Sequence, residues 1–205
     1  MTQSHMKLFK FPANVTISLI IGGLIVIFAT FPNTFFPLLS LEHNKLAQGE
    51  LWRIVTSSLV HFGWAHALMN LSAFAIFVFA LGNAFSTSRF IALILFCCSV
   101  VGISIYWLNP EYETYAGLSG AVHGFFVAGF FVNKRHTWWL NSIFICVIVG
   151  KVFMEHQPGY HTTELQALLP VAVAYDAHLY GAVAGLVFGV YSLIIDKFLP
   201  KSQPG

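Results

Sequence analysis

The run Phe90–Leu108, FIALILFCCSVVGISIYWL, holds nineteen residues without one Asp, Glu, Lys or Arg. At 1.5 Å rise per residue a helix of this length spans about 28 Å, close to the roughly 30 Å hydrocarbon core of a bilayer. Asn109-Pro110 stops it, since proline cannot continue a helix. Working outward, five more apolar runs lie at Val15–Phe31, Ala65–Leu81, Ser119–Val132, Trp138–Phe153 and Ala177–Ile195. Breakers or charges bracket them: Pro12 and Pro32, Gly82-Asn83, Asn133-Lys134-Arg135, and Asp196-Lys197. The expectation is an all-α membrane protein, a bundle of six transmembrane helices.

Composition agrees. Only 9% of the 205 residues are charged and 57% are apolar, against about 25% and 45–50% in soluble domains. So few charges cannot clothe a soluble globule, and disorder requires the opposite balance. A net charge of +2, with no basic cluster beyond Lys134-Arg135, argues against nucleic acid as a partner. Cys97, Cys98 and Cys146 lie inside apolar runs at no metal-binding spacing, so they read as small packing residues. No metal or cofactor is expected. Nor is a cleavable signal peptide, because the first run ends at Phe31-Pro32 without a small-x-small site.

Sidedness follows from Lys and Arg. Six helices put both termini on one side, which would carry Lys7, Lys10, Arg89, Lys134, Arg135, Lys197 and Lys201. The opposite side would carry only Lys45, Arg53 and Lys151. Both termini are therefore expected in the cytoplasm. The chain reads as one domain: residues 1–14 a cytoplasmic amino terminus, 15–196 the six-helix core, and 197–205 a cytoplasmic tail. Two long connections, 32–64 and 154–176, fall on the outer face, where gating elements tend to sit. The second contains His156, His161 and Glu164. No internal repeat is visible, which disfavours an inverted-repeat transporter.

Strongly polar residues inside spans are costly and usually face the bundle interior. His66 and Asn70 on the second helix, Ser119 and His123 on the fourth, and His178 on the sixth all fall in the outer half of the membrane. Fifteen residues from Ser119 to Lys134 correspond to roughly 22 Å, so the serine lies some way below the outer surface but within reach of a water-filled pit. His66 and Asn70, four apart, share a helix face. Ser119, between Gly117 and Gly120, sits at a helix start, where first-turn N–H groups lack intrahelical partners. Gly120 and Gly124 on the fourth helix, and Gly181, Gly185 and Gly189 on the sixth, recur every four residues. Such stripes let membrane helices pack backbone to backbone. If they face each other, Ser119 and His178 meet, with an amide and a second imidazole aimed at a developing oxyanion.

These residues also carry a resemblance. His61–Asn70, HFGWAHALMN, resembles the His-x4-His-x3-Asn signature of rhomboid intramembrane serine proteases. Gly117-Leu118-Ser119-Gly120 looks like their Gly-x-Ser-Gly motif, Ala177-His178-Leu179-Tyr180-Gly181 like their Ala-His-x-x-Gly, and Trp52-Arg53 preceded by Glu50 like their first loop. The agreement covers about residues 49–190. It implies a rhomboid-like bundle in which Ser119 is nucleophile and His178 general base and then acid. His66, Asn70 and the Ser119 amide would form the oxyanion site, while His61, Glu50 and Arg53 hold the first loop. The resemblance also implies a Ser-His dyad without a carboxylate. Asp176, two residues before His178, should point elsewhere on a helix.

One position departs. Many rhomboids carry tyrosine four residues after the serine, and here His123 stands there. Gly-Leu-Ser-Gly-x-x-His-Gly on a short chain looks like the rhombosortase branch, which is associated with bacterial surface proteins bearing a carboxyl-terminal Gly-Gly, an apolar helix and a basic tail. Three roles stay open for His123: stacking on His178, hydrogen-bonding its ring, or competing as base; support is favoured. The implied partners are substrate transmembrane segments and the lipid bilayer, and the implied location is a bacterial inner membrane with the site opening to the periplasm. The rival expectations are a catalytically inactive relative that only binds membrane helices, and a haem- or ion-handling protein using His66, His123 and His178.

Overall fold

In lipid every backbone polar group must be satisfied within the segment, and a helix does this alone. Each of the six apolar runs forms one in the computed structural model, which describes residues 12–160 and 168–198. Lys7, Lys10, His161, Glu164 and Lys201 lie outside the described residues. In chain order the helices are α1 (Ala13–Thr30), α2 (Pro32–Leu39), α3 (His43–Ala47), α4 (Arg53–Thr56), α5 (Trp64–Leu81), α6 (Thr87–Leu108), α7 (Ser119–Val132), α8 (Trp138–Glu155) and α9 (Tyr175–Phe198). By length and composition α1, α5, α6, α8 and α9 are each able to cross a membrane. The central α7 has 14 residues, or about 21 Å, shorter than those five.

Several boundaries differ by one to three residues from the sequence expectation, most at α6, α8 and α9. α6 starts at Thr87 rather than Phe90 because Ser86 caps it, its side chain accepting from the Arg89 N–H. α9 begins at Tyr175 and runs to Phe198. α8 continues past Phe153 to Glu155, where an i,i+4 pair with Lys151 extends the helix. The all-α expectation also needs a small correction. β1 (Leu41–Glu42) pairs antiparallel with β2 (Thr114–Tyr115), Leu41 opposite Tyr115. Both segments are extended backbone between helices, and pairing satisfies their N–H and C=O groups. The ladder fastens the first long connection to the strand leading into Ser119.

Arg53 anchors that connection from within. Its guanidinium is 2% exposed and donates to Glu50 at 2.6 Å, Ser40 O at 2.5 Å and Pro37 O at 2.9 Å. Trp52 donates from its indole to Leu38 O at 3.2 Å. Glu50, Trp52 and Arg53 thus all bind within the first connection.

The outer surface is apolar: Ile76, Phe79, Val147 and Tyr191 face outward. Because lipid is as apolar as Phe, burial alone does not drive such helices together; close packing and hydrogen bonds must. Phe77 stacks on Phe90 with centroids 6.0 Å apart and lies 5.4 Å from Phe125, joining α5, α6 and α7. Cys97 and Cys98 are buried there as free thiols, whereas Cys146 is exposed. The tightest contact is between α7 and α9. A Cβ added at Gly120 would lie 2.7 Å from Ala177 O, and one at Gly181 or Gly185 would strike the carbonyl of Gly120 or Gly124. Glycine therefore sets the spacing between these two helices.

Both described chain ends lie at the pole away from that serine. Asn14 donates to Gly82 O at 2.9 Å and Phe85 O at 3.0 Å, while Arg89 binds Asp196 at 2.6 Å. Lys134 adds a longer pair with Asp196 at 3.8 Å.

Candidate active site

Ser119 opens α7. Gly117, two residues earlier, has φ of 125°, a conformation that L side chains rarely adopt. Its N–H donates to Ser57 O at 2.9 Å, and a Cβ there would sit 2.6 Å from the His66 ring. Only glycine permits both the turn and the histidine beside it. Tyr115, buried at the end of β2, donates its hydroxyl to Gly117 O at 3.2 Å.

Across the glycine seam, Ser119 Oγ lies 3.1 Å from His178 Nε2. His178 is 3% exposed and Ser119 is half-buried. The two side chains expected to meet are thus brought together. A cavity of about 250 Å³ touches Ser119 and His178 together with His66, Asn70, His123 and Lys151. A second, of about 410 Å³, shares Ser119 and His66 and is lined by the 111–116 connection and by Ala172 and Ala174. Together they form a cleft from the outer connections to the serine. His66 and Asn70 line it as expected from their i,i+4 spacing. Asn70 Nδ2 donates to His66 O at 3.0 Å, leaving its second N–H toward the cleft.

His123 stacks on His178, with centroids 4.2 Å apart and planes at 22°. Its Nδ1 is 2.8 Å from Ser119 O. A carbonyl only accepts, so that nitrogen carries the proton and Nε2 is the acceptor. Lys151 Nζ donates to that Nε2 at 3.2 Å. Both ring nitrogens of His123 are thus engaged, and its ring lies stacked on that of His178.

His61 stands behind the site. Its Nε2 accepts from Leu118 N–H at 3.4 Å, and its ring meets His66 edge-on at 4.9 Å. Burial, with His66 beside it, holds its pKa down from 6.5 to about 3. The folded state therefore refuses a proton that the unfolded chain accepts below 6.5. Stability should fall as pH drops from 6.5 toward 3. Thermal melts over that range should show the fall, and His61→Gln should make it shallower.

A carboxylate that the dyad expectation did not include, Glu155, lies beside His178. His178 Nδ1 lies 2.9 Å from Glu155 Oε2, and Glu155 Oε1 lies 2.5 Å from Lys151 Nζ. Sequence reasoning placed Glu155 in an outer loop because the apolar run ends at Phe153. The available signal was Lys151-x3-Glu155, two charges one turn apart at the close of a span. Asp176 behaves as expected: it accepts from the Tyr112 hydroxyl at 3.0 Å and lies 3.5 Å from His156 Nε2. Burial and that carboxylate push the Tyr112 hydroxyl pKa up, so it stays a donor.

His123, Glu155 and His178 bring three ligand-type atoms within 4.8 Å of one another. The Lys151 ammonium, bonded to both Glu155 and His123, already supplies the positive charge a metal ion would bring. His123 and His178 lie ring against ring at 4.2 Å, whereas histidines ligating a haem from opposite faces point their nitrogens at each other.

Comparison with known proteins adds an independent line. A model of the rhomboid domain matches residues 48–194. The chain is 27% identical over 157 residues to Rhomboid protease GlpG of Haemophilus influenzae, covering 75% of this chain and 74% of that protein. It is 31% identical over 166 residues to Rhomboid-like protease 5 of Toxoplasma gondii, covering 77% of this chain but 18% of that longer protein. Rhomboid protease GluP of Bacillus subtilis is 32% identical over 83 residues, which cover 40% of this chain and 16% of GluP.

Proposed function

This chain belongs to the rhomboid family of intramembrane serine proteases, and we propose that it cuts substrate transmembrane segments near their outer ends with Ser119 as nucleophile and His178 as base. The observation that carries the proposal is the 3.1 Å contact between Ser119 Oγ and His178 Nε2 at the floor of a cleft. His178 takes the hydroxyl proton as Oγ bonds to the scissile carbonyl carbon. The resulting oxyanion faces His66, Asn70 and the Ser119 N–H, which as a first-turn amide has no intrahelical acceptor. His178 then gives its proton to the leaving amine, and cleft water attacks the acyl-enzyme. A substrate helix must unwind first, because its carbonyls are hydrogen-bonded within the helix. Gly-Gly at the cut lowers that cost, glycine disfavouring helix by about 1 kcal/mol against alanine.

The proposal extends to topology and substrate. Six helices pack within the membrane in a single domain, α7 being the shortest and enclosed by the others, with both termini in the cytoplasm. Seven basic residues on that side against three support this, as do the Asn14 and Asp196 contacts at one pole. The site then opens toward the periplasm of a bacterial inner membrane. His123 in place of tyrosine supports a rhombosortase, acting on proteins with a carboxyl-terminal Gly-Gly, an apolar helix and a basic tail.

Labelling with a fluorophosphonate tests the chemistry. The parent should label at Ser119, and His178→Ala should not. An unlabelled parent, or labelling elsewhere, rejects the serine mechanism. Asn70→Ala should lower cleavage on the order of 10²–10³ in kcat, measured on a transmembrane substrate ending in a Gly-Gly signal. Removing Gly-Gly from that substrate should slow cleavage; equal rates with and without it would reject the sorting role alone.

A further inference from the structure

We infer that Glu155 is a positioning residue that completes a Ser119–His178–Glu155 triad, held ionised by Lys151. The inference rests on the protease reading above and adds a group that a dyad lacks.

The carboxylate is placed by the last turn of α8. Its side chain is 0% exposed, and each oxygen has a partner: Lys151 Nζ on Oε1 and His178 Nδ1 on Oε2. A buried carboxylate without partners would cost several kcal/mol, or would simply take up a proton. Lys151, four residues earlier on the same helix face, supplies the compensating charge while part of its stem reaches the surface.

The consequence for His178 is a choice of tautomer. An ionised carboxylate only accepts hydrogen bonds, so Nδ1 must carry the proton. That leaves the lone pair of Nε2 facing Ser119 Oγ, which is the form a base needs. The opposite tautomer would set a lone pair against a carboxylate oxygen and an N–H against the serine. When the Ser119 O–H bond breaks and the Nε2–H bond forms, the new imidazolium lies against the Glu155 negative charge. Glu155 keeps its own charge and gains no proton. Asp176 cannot serve, being engaged by Tyr112 and His156.

Other groups also face the imidazole. These are His66 from α5, Ser119 and His123 from α7, Lys151 from α8 with His156 just past its end, and Tyr175 from α9's first turn, whereas Asp176 faces His156 and Tyr112. From α6, Cys97 lies further along, against Gly124. Among these, Glu155 is the carboxylate on Nδ1, and its replacement changes the charge there by one unit.

The test uses the full chain in detergent, with cleavage of a transmembrane substrate and fluorophosphonate labelling followed from pH 5 to 9. Glu155→Gln should lower kcat on the order of 10²–10⁴ with little change in KM, by the logic of other triads. Its acid limb in kcat/KM should move to lower pH, because the imidazolium loses its negative neighbour. Glu155→Asp should recover part of the rate. A Glu155→Gln protein that labels and cleaves like the parent, with an unmoved acid limb, overturns the inference. If Glu155→Gln does not fold, ¹⁵N shifts of His178 in the parent decide: Nδ1–H supports the triad, and Nε2–H overturns it. A parent that never labels at Ser119 instead rejects the protease reading, so the two failures are distinct.

Discussion

Ser119→Ala is expected to abolish cleavage while leaving a folded membrane protein. Among the described residues the side chain has one hydrogen-bond partner, His178 Nε2 at 3.1 Å, and it sits half-buried on the floor of a cleft. Its loss leaves one imidazole nitrogen to water in that cleft, a change of at most about 1–3 kcal/mol. The chemical loss is far larger, because without the hydroxyl no acyl-enzyme forms. In other serine enzymes removal of the nucleophile costs about 10⁶ in kcat. The thermal midpoint of the variant should stay near that of the parent while product falls below detection. Continued cleavage by Ser119→Ala would show that another group attacks, and His178 would then need a different partner. Loss of folding together with activity would leave labelling of the parent at Ser119 as the deciding measurement.

How much of this was legible depends on which physical constraint acts locally. The apolar runs were, because membrane thickness and the need for internal hydrogen bonds act on contiguous sequence. Ser119 and His178 were legible through the glycines at intervals of four around them, which predicted a close seam between two helices. His66 and Asn70 followed from i,i+4 spacing. Glu155 did not. Its contact with His178 depends on how α8 crosses α9, and nothing within either helix encodes that crossing. The residue also lies two positions beyond Phe153, where hydropathy marks the end of a span. The ladder between Leu41–Glu42 and Thr114–Tyr115 was likewise invisible, since two residues carry no alternation to read. The role of His123 needed coordinates too: stacking, bonding and base catalysis all suit one turn beyond the serine. Its ring nitrogens contact Ser119 O and Lys151, which is the arrangement a supporting role requires.

The glycine seam supplies the second large effect. Gly181→Ala adds one methyl group where the Gly120 carbonyl already approaches the Cα, and Gly181→Val adds more. That carbonyl belongs to the first turn of α7, one residue from the nucleophile, so relief must come from moving the two helices apart. Overpacking of this kind typically costs 1–3 kcal/mol, and in lipid there is no hydrophobic term to offset lost backbone contact. The 3.1 Å separation between Ser119 and His178 spans the same seam. A displacement of about 1 Å in a reacting pair costs on the order of 10² in rate. Gly181→Ala should therefore lower both the thermal midpoint and the fluorophosphonate labelling rate, and Gly181→Val should lower both further. Gly150→Val on α8 is the control, because a Cβ there meets nothing within 4 Å. Parent-like labelling by Gly181→Val would mean that the hydroxyl and imidazole are held by something other than helix contact.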